Sequence, residues 1–179
     1  MPTAKTKQPT TKPATRIGYG FDSHEFRAGI PLKIGGVTLP HDKGLGGHSD
    51  GDVLLHAITD ALLGALGAPD IGALFPPSDP QWKGADSAVF LREALKRVRG
   101  AGYGVANLDA SLILAAPKIG PHAAAIRTRV AQLMSLPENC VGLKAKTPEG
   151  LNLENTAVAH VVVLLEKSRK SRRPWKKKK

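Results

Sequence analysis

Asp22 and His24 stand two residues apart in RIGYGFDSH, Arg16 to His24, and in an extended backbone that spacing sends both side chains to one face. A carboxylate and an imidazole then leave the same side of one strand end. A second segment, HSDGDVLLH from His48 to His56, opens on small polar residues and runs into VLLHAITDALLGAL, an apolar stretch at helical spacing. Ser49 followed by Asp52 reads as a capping-box-like start to that helix, with Gly51 loosening the entry. Asp22, His24 and His56 together are a ligand set for a zinc ion held by three protein donors. The open fourth position is what distinguishes a catalytic zinc from a structural one. Asp52 and Asp60, one turn either side of His56, are placed to orient its second ring nitrogen. The competing reading is a hydrogen-bonded core histidine beside a chance Asp-x-His. The run of Gly, Asp, Ser and His at 44–52 counts against it, being too polar and flexible for a packed connection and suited to a phosphate or metal loop.

The elements that must carry these residues follow from periodicity. Arg16 to Phe21 is a first strand, and LKIGGVTLP at 32–40 a short hairpin turning at Gly35 and Gly36. The polar loop HDKGLGGHSDGD leads into a helix over about 50–66, ended by Gly64, Gly67 and Pro69. DIGALFPPSDPQWKGADS is a long irregular connection, of the kind that is usually functional inside a compact domain. A helix over Ser87 to Arg99, a strand over 107–116, a helix over Pro121 to Leu136 and strands over 141–147 and 157–165 complete the chain. The expected fold is an α+β two-layer sandwich, a mixed sheet of about four core strands with helices on one face. The last strand, AVAHVVVLL, is apolar on both sides, so the second sheet face is expected to be buried against other subunits.

At 179 residues and 41% hydrophobic content the chain is one domain with a real core. The net charge of +11 belongs to its ends: three positive charges fall in residues 1–15 and nine in 167–179, which leaves −1 for 16–166. The division expected is a disordered basic tail over 1–15, a domain over 16–167 and a disordered Lys/Arg-rich tail over 168–179. A solvated extension is the favoured reading of the last run; salt-dependent binding to RNA, DNA or an anionic surface is the alternative. One cysteine, Cys140, excludes an intramolecular disulfide and fits a reducing compartment. No apolar run is long enough to span a membrane, and no secretory core precedes the domain. The cytoplasm is the simplest location; the Thr-rich, acid-free start makes a plastid the alternative.

Taken together, RIGYGFDSHEF, LKIGGVTLP, GLGGHSDGDVLLHAITDALLGALGAPDIGALFP, SDPQWKGADS, LDASLILAAPKIGPH and KAKTPEGL resemble the 2-C-methyl-D-erythritol 2,4-cyclodiphosphate synthase family of the non-mevalonate isoprenoid pathway, from Arg16 to about Lys167. The resemblance implies a homotrimer with active sites between subunits. It also implies cyclisation of 4-diphosphocytidyl-2-C-methyl-D-erythritol 2-phosphate with release of CMP, a phosphorus-oxygen lyase reaction. By the matching motifs, Asp22, His24 and His56 hold zinc, and Glu149 serves a second ion, Mg2+ or Mn2+, that arrives with substrate. His48 and Thr147 stabilise the transition state. Substrate contacts are implied for Asp22, Ser23, His24, His48 and Ser49, and for Asp70, Ile71 and Gly72 on the sugar side. Phe75, Pro76, Pro77, Ser78 and Asp79 cover the erythritol phosphate. Leu114, Ala115, Ala116, Pro117, Lys118, Ile119 and Gly120 form the cytidine side, and Lys146, Thr147, Pro148 and Glu149 the turn beside it.

Three departures from the family pattern stand out. Pro77 replaces an aspartate, Lys146 replaces a common threonine, and NLENTAVAH replaces a longer Gly-rich segment with an Arg and a Glu. The last, at Asn152–Asn155, argues against the isoprenoid diphosphate site that some members have at the trimer axis. Two rival functions remain at this level. A zinc hydrolase would need a general base, and the sequence contains no HExxH motif to supply one. A nucleic-acid-binding protein on the same fold would have to act through its tails.

Overall fold

Strand alternation in the first element sets the architecture of the computed structural model, which describes residues 12–168. β1, Thr15–Ala28, turns Gly18, Gly20, Asp22, His24 and Phe26 to one side, while Ile17, Tyr19, Phe21, Ser23 and Glu25 are exposed on the other. It runs well past the expected Phe21. The charged residues that break the apolar pattern stay extended because β7 pairs with them as far as Glu25 opposite Thr156.

β2, Leu32–Ile34, and β3, Val37–Leu39, form the expected hairpin, with Gly35 and Gly36 at φ of 64° and 76° in its turn. β4, Lys43–Leu45, is a strand the sequence did not announce; it pairs with the end of β1, Leu45 opposite Phe26. α1 spans Val53–Leu66 and stops at Gly67, which adopts the left-handed conformation. The irregular connection contains a single short helix, α2, Ile71–Leu74, and a 3-10 turn at Pro80–Trp82. α3, Ala88–Gly100, β5, Tyr103–Ile113, α4, Ala123–Met134, β6, Val141–Lys146, and β7, Thr156–Lys167, follow in the expected order.

The main sheet has the order β4-β1-β7-β5-β6, with β5 and β6 parallel and every other pair antiparallel. α1 lies over β1 and β7, α3 over β5 and α4 over β6. The result is the α+β two-layer arrangement, with four long strands and a short edge. Leu54, Leu55, Ile58 and Leu62 of α1 share one buried cluster with Leu108 and Leu112 of β5 and Val161, Val163 and Leu165 of β7. The opposite face of the sheet is open in the single chain: Ile17 is 72% exposed, Tyr19 57%, Phe21 48% and Val162 46%.

The expected N-terminal boundary moves. Thr15 already pairs with Glu166, the Lys167 N–H donates to the Ala14 carbonyl at 2.9 Å, and the Tyr103 hydroxyl donates to the Pro13 carbonyl at 2.8 Å. Residues 12–15 are therefore part of the fold rather than of a tail. Residues 1–11 and 169–179, and with them the basic run considered for nucleic-acid binding, lie outside the described residues.

Candidate metal and phosphate site

Two glycines in β1 bring the site together. A Cβ at Gly20 would stand 1.9 Å from the Ala57 carbonyl oxygen, and one at Gly18 would stand 1.8 Å from that of Ala61, so α1 rests directly on the strand backbone. His56, the residue before Ala57, is thereby laid beside Asp22, one step of the strand face beyond Gly20. Asp22 Oδ2 lies 3.0 Å from His56 Nδ1 and 3.1 Å from His24 Nε2, and the two imidazole nitrogens are 3.0 Å apart. Three acceptor-capable atoms so close in a near-equilateral triangle need a shared cation or protons between them. A tetrahedral ion about 2.0–2.1 Å from each donor would set them roughly 3.3 Å apart, so one carboxylate and two imidazoles at this spacing fit zinc. Burial acts to raise the Asp22 pKa, but hydrogen bonds from His24 and His56 outweigh it and pull the carboxyl down to about 2.

Behind the triad the expected orientation of His56 is corrected. Asp52 does not reach the imidazole. It is the N-cap of α1, in place of Ser49, and it is fully buried, accepting the N–H groups of Leu55 at 3.0 Å, Gly35 at 2.8 Å and Gly36 at 2.6 Å. Asp60 accepts from the Ile71 N–H at 2.8 Å and helps start α2; burial pushes its carboxyl up. The second nitrogen of His56 meets hydroxyls instead: Ser87 Oγ at 2.8 Å and Ser49 Oγ at 2.9 Å. Ser87 carried no signal in the sequence beyond its place at the start of a helix.

The remaining expected residues fall into two cavities. The first, of about 230 Å³, is lined by the triad together with His48, Ser49, Ile71, Gly72, Phe75 and Pro77. Trp82 and Phe90, which periodicity assigned to a loop and a helix face, also line it. Phe75 packs on Phe90 at 4.7 Å and on Trp82 at 5.1 Å between ring centroids, so an aromatic wall closes one side. The second cavity, of about 380 Å³, takes Leu114, Ala115, Pro117, Lys118, Ile119 and Gly120 together with Lys146 and Thr147. Leu114 and Ile119 there are core residues, each 3% exposed.

Several expected contacts sit outside both cavities. Ser23 is on the opposite face of β1 from the triad; Ala116, Pro76 and Ser78 are exposed, and Pro148 is buried. Asp70 caps α2 by accepting from the Ala73 N–H, and Asp79 caps the 3-10 turn by accepting from Gln81. Glu149, exposed at φ of 48°, accepts a hydrogen bond from the Thr147 hydroxyl. The two cavities share no lining residue. β7 and β5 separate β1 from β6, whose Ala145 and Lys146 line the second cavity; Asp22 lies opposite Ala159, Ala159 opposite Leu112 and Leu112 opposite Ala145, which puts three strand spacings, about 14 Å, between the triad and that strand.

Comparison with known proteins places the chain in a family. The sequence model of the YgbB family matches residues 15–166. The 2-C-methyl-D-erythritol 2,4-cyclodiphosphate synthase of Koribacter versatilis (strain Ellin345) is 70% identical over 152 residues, covering 85% of this chain and 98% of its own. The chloroplastic enzyme of the same name from Arabidopsis thaliana is 52% identical over 165 residues, 90% of this chain and 71% of its own. A solved structure of a 2C-methyl-D-erythritol-2,4-cyclodiphosphate synthase in a CDP-bound form superposes with a TM-score of 0.80 at 47% identity, covering 84% of this chain and all of that one. With a family match over nearly the whole described fold and a relative 70% identical along almost its full length, the chain belongs to the YgbB family, that of the 2-C-methyl-D-erythritol 2,4-cyclodiphosphate synthases.

Proposed function

We propose that this protein converts 4-diphosphocytidyl-2-C-methyl-D-erythritol 2-phosphate to 2-C-methyl-D-erythritol 2,4-cyclodiphosphate and CMP. The observation that carries the proposal is the convergence of Asp22, His24 and His56 donor atoms within 3.1 Å at the mouth of an aromatic-walled cavity, in a chain of this family. In the reaction an oxygen of the 2-phosphate forms a bond to the β-phosphorus, and the bond from that phosphorus to the CMP oxygen breaks. No water enters and the electron pair leaves with CMP. Asp22, His24 and His56 would hold zinc and Glu149 would hold Mg2+ or Mn2+, and the bound ions would supply the positive charge that two phosphate groups need in order to meet.

The side chains do the rest. His48 and Ser49 line the cavity beside the triad and orient the diphosphate. Lys118 and Lys146 line the second cavity, where the nucleotide phosphate would meet them, and the Thr147 hydroxyl, which donates to Glu149 in the single chain, would turn to hydrogen-bond the charge that develops at phosphorus. Phe75, Trp82 and Phe90 keep water from the erythritol side. Because Thr147 and the triad must act on one phosphorus yet stand apart within a chain, the site is completed between subunits, in a homotrimer that also covers Ile17, Tyr19 and Phe21. The compartment proposed is the cytoplasm; among the described residues no helix is long and apolar enough to cross a membrane.

The test is incubation of purified protein with the diphosphocytidyl substrate, zinc and magnesium, following CMP by chromatography and the second product by phosphorus NMR. CMP and a cyclic diphosphate should form in equal amounts and both should vanish on chelation. Free phosphate, or a linear product, would point instead to hydrolysis on the same ligand set and would end the cyclase reading.

A further inference from the structure

Three side chains that the proposed reaction does not use form a connected chain behind His56. Ser87 is fully buried, its Oγ is 2.8 Å from His56 Nε2, and its hydroxyl donates to Asp50 Oδ1. Asp50 Oδ1 also accepts the Ser87 backbone N–H at 3.3 Å, and its Oδ2 is paired with Lys33 Nζ at 3.1 Å. The Asp50 N–H donates to the Ala85 carbonyl at 3.0 Å, which fixes the carboxylate where the relay needs it. Its hydrogen bond with Asp50 raises the pKa of the Lys33 ammonium, which keeps the far end of the chain cationic.

Counting hydrogens fixes the imidazole. A serine hydroxyl has one hydrogen to give and lone pairs to receive with. Asp50, facing an ammonium and two N–H groups, acts as an acceptor, so it takes the Ser87 hydrogen and leaves the serine lone pairs toward His56. The nitrogen that meets those lone pairs at 2.8 Å carries the imidazole hydrogen, and the Ser49 hydroxyl, 2.9 Å from the same nitrogen, accepts from it while turning its own hydrogen toward Ser87 Oγ, 3.4 Å away. Nδ1 of the neutral ring is then bare and aimed at Asp22 and His24; the hydrogen bond from it that lowers the Asp22 pKa belongs to the imidazolium, which carries a hydrogen on both nitrogens. Without that constraint the Asp22 carboxylate, 3.0 Å from Nδ1, would draw the hydrogen to the wrong nitrogen, where it would have to be displaced before a cation could be held.

We infer that Ser87, Asp50 and Lys33 are positioning residues that commit His56 to the Nε2–H tautomer and so present Nδ1 as a ready metal ligand. The inference rests on the reading of the triad as a metal site. It gives a role to two loops at once, since Asp50 belongs to the segment entering α1 and Ser87 to the end of the connection that carries Phe75 and Trp82.

The experiment combines nitrogen-15 NMR of histidine-labelled, metal-free protein with zinc affinity measured by competition against a chromophoric chelator. In the wild type the His56 hydrogen should be found on Nε2. Ser87→Ala should move it to Nδ1 or to a mixture, and should weaken zinc about tenfold to a hundredfold. Ser87 makes no side-chain cap to α3, so alanine there leaves the helix start intact, and a thermal melt checks it. Asp50→Asn, which can turn an N–H toward the serine and reverse the relay, should act in the same direction. A wild-type His56 with its hydrogen on Nδ1, or a folded Ser87→Ala protein that binds zinc within twofold of wild type, would overturn the inference. Failure of the metal reading itself would look different, because the wild type would then bind no zinc before any substitution was made.

Discussion

Asp22 is the residue on which charge at this site turns. It is partly open to solvent, with 24% of its side chain exposed, yet the two imidazoles hold its pKa near 2 against the opposing effect of burial. A carboxyl depressed from about 3.9 when unfolded contributes stability that is fully present above that value and is lost as pH falls through the folded pKa. For metal-free protein this predicts a stability loss on the order of 2 kcal/mol between about pH 4 and pH 2 from this group. Denaturant unfolding at stepped pH should show it, and Asp22→Asn should flatten that part of the profile. An Asn variant with an unchanged acid slope would mean that other carboxyls carry the effect. The triad itself was legible in the sequence because its spacing is local on β1 and helical on α1. The partners of the second His56 nitrogen were not legible. Asp52 and Asp60 were the obvious candidates by spacing, but each is used up by backbone N–H groups of its own turn, and the hydroxyl that replaces them comes from residue 87, after a long connection.

At the scale of elements, the fit of α1 on β1 decides whether His56 can meet Asp22 and His24 at all. Glycine at 18 and 20, alternate positions on the strand, lets the helix backbone approach until its Ala57 and Ala61 carbonyls occupy the space a Cβ would need. Gly20→Ala must therefore push helix and strand apart near the site, since the obstructing atoms are backbone. A destabilisation of about 1–3 kcal/mol is expected from such overpacking. The sharper expectation is that zinc affinity falls by tenfold or more, because a shift of about 1 Å spoils a triangle whose sides are 3.0–3.1 Å. Urea melts and chelator competition would separate the two effects; a destabilised protein with unimpaired zinc binding would show that the helix adjusts without moving His56. In the sequence Gly18 and Gly20 read only as part of a first strand, because alternating glycine does not say which element approaches it. The hairpin, α1, α3, α4 and the last strands were readable, since each pairs apolar periodicity with a glycine or proline stop. β4 was not, because three residues, KGL, show no periodicity, and their strand character comes only from pairing with β1.

For the whole molecule, the outer face of the sheet is the feature that one chain leaves unfinished. Ile17, Tyr19, Phe21 and Val162 lie across neighbouring strands, Tyr19 directly opposite Val162, and all are close to or above half exposed. Burying a side chain such as Ile17 is worth about 1.5–3 kcal/mol, and three subunits would gain it three times over. The proposed trimer would bring the Thr147 cavity of one subunit to the triad of the next, so assembly and catalysis should fail together. Ile17→Glu tests this with little risk to the protomer, because Ile17 is 72% exposed and a charge there meets water when the chain is alone. Sedimentation at micromolar concentration should show the wild type as a trimer and the variant as a monomer. CMP release by the variant should fall at least a hundredfold, while each chain still binds one zinc, since the triad lies on the other face of β1. Retained zinc with lost activity is the outcome that separates a site shared between subunits from one complete in a single chain. A monomeric variant that still cyclises its substrate would place the whole reaction within one protomer and leave the open sheet face to some other contact.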